Sequence, residues 1–364
     1  MYINNLLLAD FRNIAMAEIK LNNGINILYG DNAQGKTNIL EAVYICATGR
    51  SHRTKIDGQL INFGKREAHI KAFIVRDRRT DRIDVHLKKD EKKGIAINGV
   101  PIRKSGDLFG TLHTVMFSPE DLQLIKNAPS ERRRFIDMEL CQLSNIYYYD
   151  LQQYYKVLKQ RNNLLKRIQK NSKLRDTLFP WNSQMCQYGI RVIDSRKAFI
   201  ERLNTISSKI HKGITDGTEE LFIEYKPNVL SCDFDNKLEA LTEKDIIYGS
   251  TTAGPHKDDI IFYVNQNDVK IFGSQGQQRT AALSAKLAEI EIIKCETGQT
   301  PVLLLDDVLS ELDERRQYYL LDSIRDTQTI ITCTGIEDSI KKYIDRAFVF
   351  NIKDGIVEQR HTLI

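Results

Sequence analysis

Residues 30–37 read Gly30-Asp31-Asn32-Ala33-Gln34-Gly35-Lys36-Thr37, which matches the pattern G-x-x-x-x-G-K-[ST] at every fixed position. In such a loop the glycines let backbone N–H groups surround phosphate oxygens, the lysine reaches the outer phosphates and the hydroxyl ligates Mg²⁺. The flanking residues agree, because Ile25–Tyr29 predicts a strand and Asn38–Ile45 predicts a helix. A strand, a glycine loop and a helix together aim a helix N-terminus at an anion, so the stretch predicts a site for a nucleoside triphosphate.

A second segment near the C-terminus completes this prediction. It is a short apolar run that ends in two carboxylates, Val302-Leu303-Leu304-Leu305-Asp306-Asp307. A buried strand that delivers an acid to a bound metal ion has this composition. The phosphate loop and the acidic strand lie in different parts of the chain, so the simplest architecture is one nucleotide-binding head built from both chain ends.

Residue patterns divide the chain into three blocks, 1–120, 121–247 and 248–364. The first predicts short strands with a tight turn at Asn98-Gly99. In the second, apolar residues recur at steps of three, four or seven, which predicts two long helices packed along apolar seams. The predicted fold is therefore an α/β head, formed by residues 1–120 and 248–364, with an inserted α-helical arm resembling a short coiled coil.

The third block returns to an α/β pattern. Ile260–Val264 and Val269–Ile271 predict a pair of strands, and residues 277–296 predict a long helix. A strand over Thr329–Cys333, a short helix and a final hairpin around Asp354-Gly355 follow the acidic strand.

Composition excludes several classes of protein. The chain has 364 residues, of which 41% are hydrophobic, and a formal net charge of +5. Its six cysteines are scattered without a pairing pattern, which predicts reduced thiols in a cytosolic protein. No apolar run approaches a membrane span, the N-terminus has no signal-peptide pattern, and no His/Cys/Asp group has zinc-ligand spacing. We also find no carboxylate set for a nuclease.

Further blocks are more specific than the phosphate loop. They are Asp10-Phe11-Arg12-Asn13, Phe117-Ser118-Pro119-Glu120-Asp121-Leu122 with Arg132-Arg133-Arg134 close behind, Gly254-Pro255-His256-Lys257-Asp258-Asp259, Ser274-Gln275-Gly276-Gln277-Gln278-Arg279, and Ser310-Glu311-Leu312-Asp313. In this order, over nearly the full length, they resemble the RecF family of bacterial recombination-mediator ATPases, which is related to SMC proteins. The segment 274–279 resembles the signature motif of ABC ATPases, and 310–313 resembles their D-loop.

The resemblance implies a role for each of these segments. Lys36 and the loop amides would hold the β- and γ-phosphates of ATP, and Thr37 and Asp306 would hold Mg²⁺. Asp307 stands where most ABC ATPases carry a catalytic Glu, and this shorter acid implies slow hydrolysis. The implied cofactor-binding set is Arg12, Asn13, Gly30, Asp31, Asn32, Ala33, Gln34, Gly35, Lys36, Thr37 and Asn38, with Ser274, Gly276 and Gln277 reaching the γ-phosphate of the other subunit. Thr332-Cys333-Thr334-Gly335 offers no counterpart to the switch histidine, so the γ-phosphate sensor is left unassigned.

One stretch suggests contacts with DNA. Between Leu151 and Arg175 the chain carries eight basic residues and no acid. A solvated helix face usually mixes both signs, so the unmixed sign indicates phosphate contacts, although a merely soluble basic arm is the other interpretation. The predicted DNA-binding residues are Lys156, Lys159, Arg161, Lys166, Arg167 and Lys170.

Other residues have two interpretations each. Arg132-Arg133-Arg134 would contact DNA or nucleotide, or else pair with Glu131, Asp137 and Glu139. His256 would contact phosphate or DNA, or be structural. The tyrosines Tyr147-Tyr148-Tyr149 and Tyr154-Tyr155 would stack on bases, or form the core of the arm.

The function implied by the resemblance is an ATP-gated DNA clamp. ATP would lie between two heads of a homodimer, which would close around gapped or duplex DNA and open after slow hydrolysis. The implied partners are RecR with RecO, and indirectly RecA, in the bacterial cytoplasm at the nucleoid. The alternatives are the motor subunit of a membrane transporter and an SMC-like tether. The basic helical insertion disfavours the first, and helices of roughly 25 residues, about 40 Å long, are too short for the second.

Overall fold

The structure, a computed structural model, describes residues 1–77, 79–335 and 347–360. It contains two compact units, the first formed by residues 1–121 with 289–364 and the second by residues 122–288. The second unit is longer than the predicted arm, because residues 248–288 cluster with it by their contacts. No helix within the described ranges is long and apolar enough to cross a membrane.

The elements are numbered here in chain order. The strands are β1 (Tyr2–Phe11), β2 (Ile14–Lys20), β3 (Ile25–Tyr29), β4 (Glu67–Arg76), β5 (Arg79–Lys88), β6 (Gly94–Ile97), β7 (Val100–Pro101), β8 (Thr114–Phe117), β9 (Leu221–Lys226), β10 (Asp259–Val264), β11 (Asn267–Asp268), β12 (Val302–Asp306), β13 (Thr329–Cys333), β14 (Phe348–Lys353) and β15 (Ile356–Arg360). The helices are α1 (Lys36–Thr48), α2 (Gln123–Lys126), α3 (Pro129–Leu143), α4 (Asn145–Ile168), α5 (Phe179–Ile214), α6 (Phe234–Ala240), α7 (Thr242–Tyr248), α8 (Val269–Phe272), α9 (Gln275–Thr297) and α10 (Glu314–Ser323). The short helix predicted after Cys333 falls on residues 336–346, outside the described residues.

A mostly parallel sheet lies at the centre of the first unit. Its order is β15-β14-β3-β13-β12-β8, and only the β14–β15 pair is antiparallel. All five residues of β12 are buried, as expected for a strand covered on both faces. Because β3, β13 and β12 are parallel neighbours, their carboxyl ends meet at one edge, with Leu28 opposite Thr332 and Thr332 opposite Asp306. That edge positions the candidate site.

The second sheet of this unit is antiparallel, in the order β2-β1-β4-β5-β6-β7. It contains the short strands and the tight turn that were predicted for the first block of the chain. Asn98 and Gly99 have φ values of 53° and 82°, as a tight hairpin turn between β6 and β7 requires. One continuous apolar core includes side chains from this sheet, from α1 and from the parallel sheet, for example Ile70, Leu40 and Leu304.

The second unit contains the two predicted long helices, α4 and α5. Helix α5 is 36 residues long rather than roughly 25, and Pro180 lies in its first turn, where a missing N–H costs nothing. A buried apolar cluster that includes Tyr154, Leu158, Met185 and Ile193 joins the two helices.

The prediction of a strand over Val269–Ile271 was wrong. Strand β10 pairs with β9 along six residues and with β11 for only two. Residues Val269–Phe272 form the short helix α8 instead, because the carboxylate of Asp268 accepts a hydrogen bond from the backbone N–H of Lys270 at 2.8 Å and caps a helix start.

Candidate nucleotide-binding site

The glycines of the phosphate loop occupy positions that exclude a side chain. Gly30 has a φ of 153°, and a Cβ atom there would lie 2.2 Å from the carbonyl oxygen of Ile352. Gly35 has a φ of 115°, and a Cβ atom there would lie 2.7 Å from Oδ1 of Asn13. The loop is therefore packed closely at its first and sixth residues, while residues 31–33 between them are exposed.

Two neighbouring segments hold the loop in shape. The carbonyl oxygen of Gln34 accepts hydrogen bonds from Nδ2 of Asn13 at 2.9 Å and from the backbone N–H of Gly355 at 3.1 Å. Oε1 of Gln34 accepts another from the N–H of Asp354 at 2.6 Å, and Nδ2 of Asn38 donates to Oδ1 of Asn13 at 2.8 Å. Asn13 thus lies beside the loop, and the predicted hairpin at Asp354-Gly355 supports its other side.

The lysine of the loop is turned inward. Nζ of Lys36 donates to the carbonyl oxygens of Gly30 at 2.6 Å and Asp31 at 2.8 Å, and the residue is only 7% exposed. Its positive charge is therefore held inside the curve of the loop, at the start of α1. A positive charge and a helix N-terminus at one point attract an anion such as a polyphosphate.

The structure brings the two predicted metal ligands together. The hydroxyl of Thr37 donates to Oδ1 of Asp306 at 2.8 Å, although the two residues are far apart in sequence. Mg²⁺ is held in such sites by one or two protein oxygens together with phosphate oxygens and water. Two hard oxygen donors beside the phosphate loop fit this ion.

Thr332 organises both acids at the end of β12. Its hydroxyl donates to Oδ1 of Asp306 at 2.8 Å and accepts a hydrogen bond from the backbone N–H of Asp307 at 2.9 Å. Asp307 has a φ of 53°, so the chain turns sharply directly after the strand. Thr332 is 1% exposed, which gives it a supporting position behind the carboxylates.

Arg12 is anchored next to the loop by a buried acid. Its guanidinium makes a bidentate pair with Glu41, with both N–O distances at 2.8 Å, and donates to the carbonyl of Gln59 at 2.9 Å. Burial by itself raises the pKa of Glu41, but hydrogen bonds from Arg12 and Ser51 outweigh that effect and leave the pKa below its usual value. Arg53 lies 3.7 Å from the same carboxylate and donates to Asn38, so two cations flank this side of the loop.

The segment 274–279 begins the helix α9 in the second unit. The hydroxyl of Ser274 accepts from the N–H of Gln277 at 3.2 Å, and Oε1 of Gln277 accepts from the N–H of Ser274 at 2.9 Å. This reciprocal capping box starts α9. The backbone N–H groups of Gln275 and Gly276 make no hydrogen bond within the described residues, so they are available to an anion.

Gln277 is fixed by a third contact. Its Nε2 donates to Glu219 at 2.9 Å, and the other carboxylate oxygen of Glu219 lies 3.2 Å from Nε2 of His211. Both ends of the Gln277 amide are thus occupied by protein groups. The Gln277 side chain, which was predicted to reach a phosphate of the other subunit, thus stabilises the start of α9 in the structure.

The basic residues of the arm lie on one face of α4. At about 100° per residue, Lys156, Lys159, Lys166 and Arg167 fall within an arc of about 100°. All four, together with Lys170 just beyond the helix, are exposed and have no acidic partner in the described parts of the chain. They form an unpaired positive stripe, which we call the basic face.

Arg161 does not belong to that stripe, and its assignment as a DNA contact was wrong. It is 0% exposed, and its guanidinium donates to Asp245 at 2.7 Å, to Thr251 at 2.7 Å and to Asn182 at 2.8 Å. The reason is helical phase, because Arg161 follows Leu158 by three residues and precedes Leu165 by four, which places it on the buried seam.

The comparisons with known proteins agree with these features. The family described as RecF/RecN/SMC N terminal domain matches residues 2–355. The "DNA replication and repair protein RecF" of Lachnoclostridium phytofermentans is 52% identical over 359 residues, which cover 99% of this chain and all of that protein. The chain belongs to the RecF family.

Solved structures place the RecF family in its fold class. A structure described as the recombination mediator protein RecF-ATP in the RecFOR pathway is 35% identical, covers 99% of both chains and has a TM-score of 0.90. An Smc head domain from Pyrococcus furiosus has a TM-score of 0.59 at 16% identity, which shows a shared fold alone. The predicted ABC/SMC-type ATPase fold is therefore confirmed.

The segment around Asp258, one of those that resemble the RecF family, has a structural role. Asp258 accepts a hydrogen bond from the buried Arg196 at 3.0 Å, and Asp259 forms a bidentate pair with Arg132. Arg132 thus has Asp259 as its partner, which is not one of the three acids predicted from sequence. Arg134 does lie 4.0 Å from Glu131, one of the predicted acids.

His256 and Tyr154 are also structural. Nδ1 of His256 accepts a hydrogen bond from the hydroxyl of Tyr154 at 2.6 Å, and Nε2 donates one to the carbonyl oxygen of Thr251 at 3.1 Å. These partners assign the neutral ring with its proton on Nε2. Burial lowers the pKa of His256 to about 4, in agreement with a neutral ring. Tyr154 is 1% exposed and belongs to the core of the second unit.

Several residues of the RecF site escaped the sequence analysis. Glu41 and Arg53 surround Arg12, Thr332 aligns the acids, and Glu219 holds Gln277. Of these four residues, Glu41 alone could have been found from the sequence. It is an acid at the sixth position of α1, and a buried carboxylate near a phosphate loop requires a cation as its partner. The other three depend on strand order or on distant packing.

Proposed function

We propose that this protein is an ATP-dependent DNA-binding protein of recombinational repair and replication-fork maintenance. The observation that carries the proposal is the 2.8 Å contact of Thr37 with Asp306 beside the phosphate loop. The biological role is supported by the relatives, which are described as DNA replication and repair proteins, and by the RecF-ATP structure, which is described as part of the RecFOR pathway.

ATP binding follows from the chemistry of the loop. Lys36 and the amides of residues 30–37 bind the β- and γ-phosphates, while Arg12, Asn13 and Asn38 support the loop from the side. Thr37 and Asp306 hold Mg²⁺, which supplies charge neutralisation at the phosphate oxygens.

ATP acts as a ligand that joins two copies of the chain. The free amides of Gln275 and Gly276, next to Ser274, bind the γ-phosphate held by the loop of the other copy. The triphosphate then contacts both subunits, whereas a diphosphate lacks the group that bridges them. This difference in affinity shifts the population towards a closed dimer in ATP.

Hydrolysis is weak and stimulated by DNA. Asp307 is one methylene shorter than the glutamate that activates water in most ABC ATPases, so its carboxylate lies farther from the attacking water. Loss of the γ-phosphate opens the dimer, and the slow step gives the closed state a long lifetime on DNA.

The closed dimer holds duplex or gapped DNA through the basic face of α4. Each exposed lysine or arginine neutralises one phosphate and releases a counterion. The dimer, bound at a gap, recruits RecR with RecO and so helps RecA onto the single strand. This assigns the protein to the bacterial cytoplasm, at the nucleoid.

Sedimentation velocity tests the central step. We expect dimers in ATP with Mg²⁺, and mostly monomers in ADP with Mg²⁺ or in ATP with a chelator. Asp306→Asn keeps the shape of the strand end but weakens the metal site. It therefore tests whether dimerisation in ATP depends on the metal ion. A monomer at saturating ATP and Mg²⁺ would contradict the proposal.

The salt dependence of DNA binding tests the basic face. Lys159→Ala and Lys166→Ala should each reduce the slope of log K against log salt by about 0.9 for duplex DNA. Lys20→Ala, an exposed lysine on β2 of the first unit, is the control and should leave the slope unchanged. Equal slopes for all four proteins would assign the DNA contact to another surface.

A further inference from the structure

A pair of histidines stands on the exposed face of the antiparallel sheet, apart from the residues of the nucleotide site. His69 on β4 lies directly opposite His86 on β5. Their rings are stacked, with centroids 4.2 Å apart and planes at 19°. Their side chains are 52% and 36% exposed, so both imidazoles are accessible to solvent.

A carboxylate completes the group. Glu67 precedes His69 by two residues, so it projects from the same face of β4. One carboxylate oxygen lies 3.0 Å from Nε2 of His86, and the other lies 4.0 Å from Nε2 of His69. One donor atom from each of the three residues lies within 4.8 Å of the other two.

We propose that Glu67, His69 and His86 bind one divalent transition-metal ion of the Zn²⁺, Ni²⁺ or Cu²⁺ class. Bonds of 2.0–2.1 Å to nitrogen and oxygen in a tetrahedral site place the ligand atoms about 3.4 Å apart. The separations of 3.0 Å and 4.0 Å start from different oxygens of Glu67, and the two imidazoles are stacked nearly parallel. Binding therefore requires the exposed side chains to rotate until their donor atoms converge on one ion. Water or an external group takes the fourth position.

The donor types select the class of ion. Two imidazoles and one carboxylate suit Zn²⁺, Ni²⁺ and Cu²⁺, whereas Mg²⁺ and Ca²⁺ prefer oxygen ligands. The proposed site is therefore chemically different from the oxygen pair of Thr37 and Asp306. It is a separate binding site on the same unit.

The surroundings leave the ligands free to bind. Across the sheet, His69 is opposite Ala9 on β1 and His86 is opposite Gly94 on β6, so small residues flank the pair on both sides. The nearby lysines have other acids, since Lys71 pairs with Asp84 at 3.8 Å and Lys88 with Glu91 at 3.5 Å. Within the described residues, the ion-pair partners of Glu67 are the two imidazoles.

The sequence shows no zinc-ligand spacing here because the proposed site depends on the pairing of two strands. Glu67 and His69 are close in sequence, but His86 joins them only through the register of β4 with β5. A shift of the register by one residue would turn His86 to the other face.

Calorimetric titration of Zn²⁺ and Ni²⁺ into the full chain tests the proposal. The protein carries Cys232→Ser and Cys295→Ser, which remove the two exposed thiols, and the buffer contains excess Mg²⁺ for the oxygen site. We expect one equivalent to bind. His86→Ala and Glu67→Gln each remove a proposed ligand and should each lower the affinity for the metal ion at least about 10- to 100-fold. Loss of a group that only supports a ligand typically has an effect of that size.

Asp84→Asn is the matched control, because it removes an acid from β5 without removing a proposed ligand. It should retain the affinity of the parent protein. Thermal unfolding of each variant without metal checks that the sheet is intact. Affinities that are equal in the parent, His86→Ala and Glu67→Gln would overturn the proposal, as would the absence of any binding in the parent.

Discussion

Lys36→Ala is expected to weaken ATP binding about 10- to 140-fold and to leave the protein monomeric at ATP concentrations that dimerise the parent. The ammonium group is 7% exposed and held inside the loop, where it donates to Gly30 and Asp31. A hydrogen bond to a charged group contributes about 1.5–3 kcal/mol, and 1.4 kcal/mol corresponds to a factor of ten in affinity. Titration with a fluorescent ATP analogue measures the change.

The control for this variant is Lys20→Ala, which removes the same charge from an exposed position on β2 of the same unit. Its ATP affinity should equal that of the parent. The unfolding midpoints of both variants show whether the loop substitution acts on the site or on the fold. An unchanged ATP affinity in folded Lys36→Ala would refute the assignment of the site.

Mixing two defective variants tests whether the nucleotide site is shared between two subunits or lies within one subunit. Lys36→Ala removes the cation of the loop, and Ser274→Ala removes the hydroxyl that caps the 274–277 segment, so each damages one half of every site in a homodimer of its own kind. In a mixed dimer, the loop of the Ser274→Ala chain meets the intact 274–277 segment of the Lys36→Ala chain, so one complete site is restored. ATP-dependent dimerisation should recover in the mixture. If the mixture dimerises in ATP no better than the two variants do separately, the two segments do not share a nucleotide.

The features that were predicted from the sequence are those with local causes. The phosphate loop, the buried strand β12 and the hairpin at Asp354-Gly355 each depend on a few adjacent residues and their backbone preferences. The helix α8 also has a local cause, the N-cap residue Asp268 directly before it, but it was missed because the apolar residues of Val269–Ile271 indicated a strand.

The features that were missed depend on pairing between distant residues. Thr332 meets Asp306 only because β13 lies between β3 and β12 in the sheet, and strand order is not written in any local pattern. His86 meets Glu67 only through the β4–β5 register. Arg161 is a different case, because its spacing from Leu158 and Leu165 already placed it on the apolar seam of α4. It was assigned to DNA because its positive charge was given more weight than this spacing.

Arg161→Ala is expected to lower the free energy of unfolding by about 3–5 kcal/mol, the cost of leaving a buried charge uncompensated. Asp245 is 0% exposed and accepts a hydrogen bond from Arg161 at 2.7 Å. Its other oxygen is held by Thr252, at 2.9 Å from the N–H and 2.7 Å from the hydroxyl, so the carboxylate cannot turn to water. Chemical denaturation of the full chain, followed by circular dichroism, measures the loss.

The same variant distinguishes a structural arginine from a DNA contact. At a temperature where Arg161→Ala is still folded, its salt slope for DNA should equal that of the parent, because the guanidinium never reaches the surface. Lys159→Ala, two residues earlier on the basic face, should show the opposite pattern, with a smaller slope and nearly unchanged stability. A reduced slope in Arg161→Ala with no loss of stability would mean that the buried pair opens when DNA binds, and that the helix α4 presents a different face to its ligand.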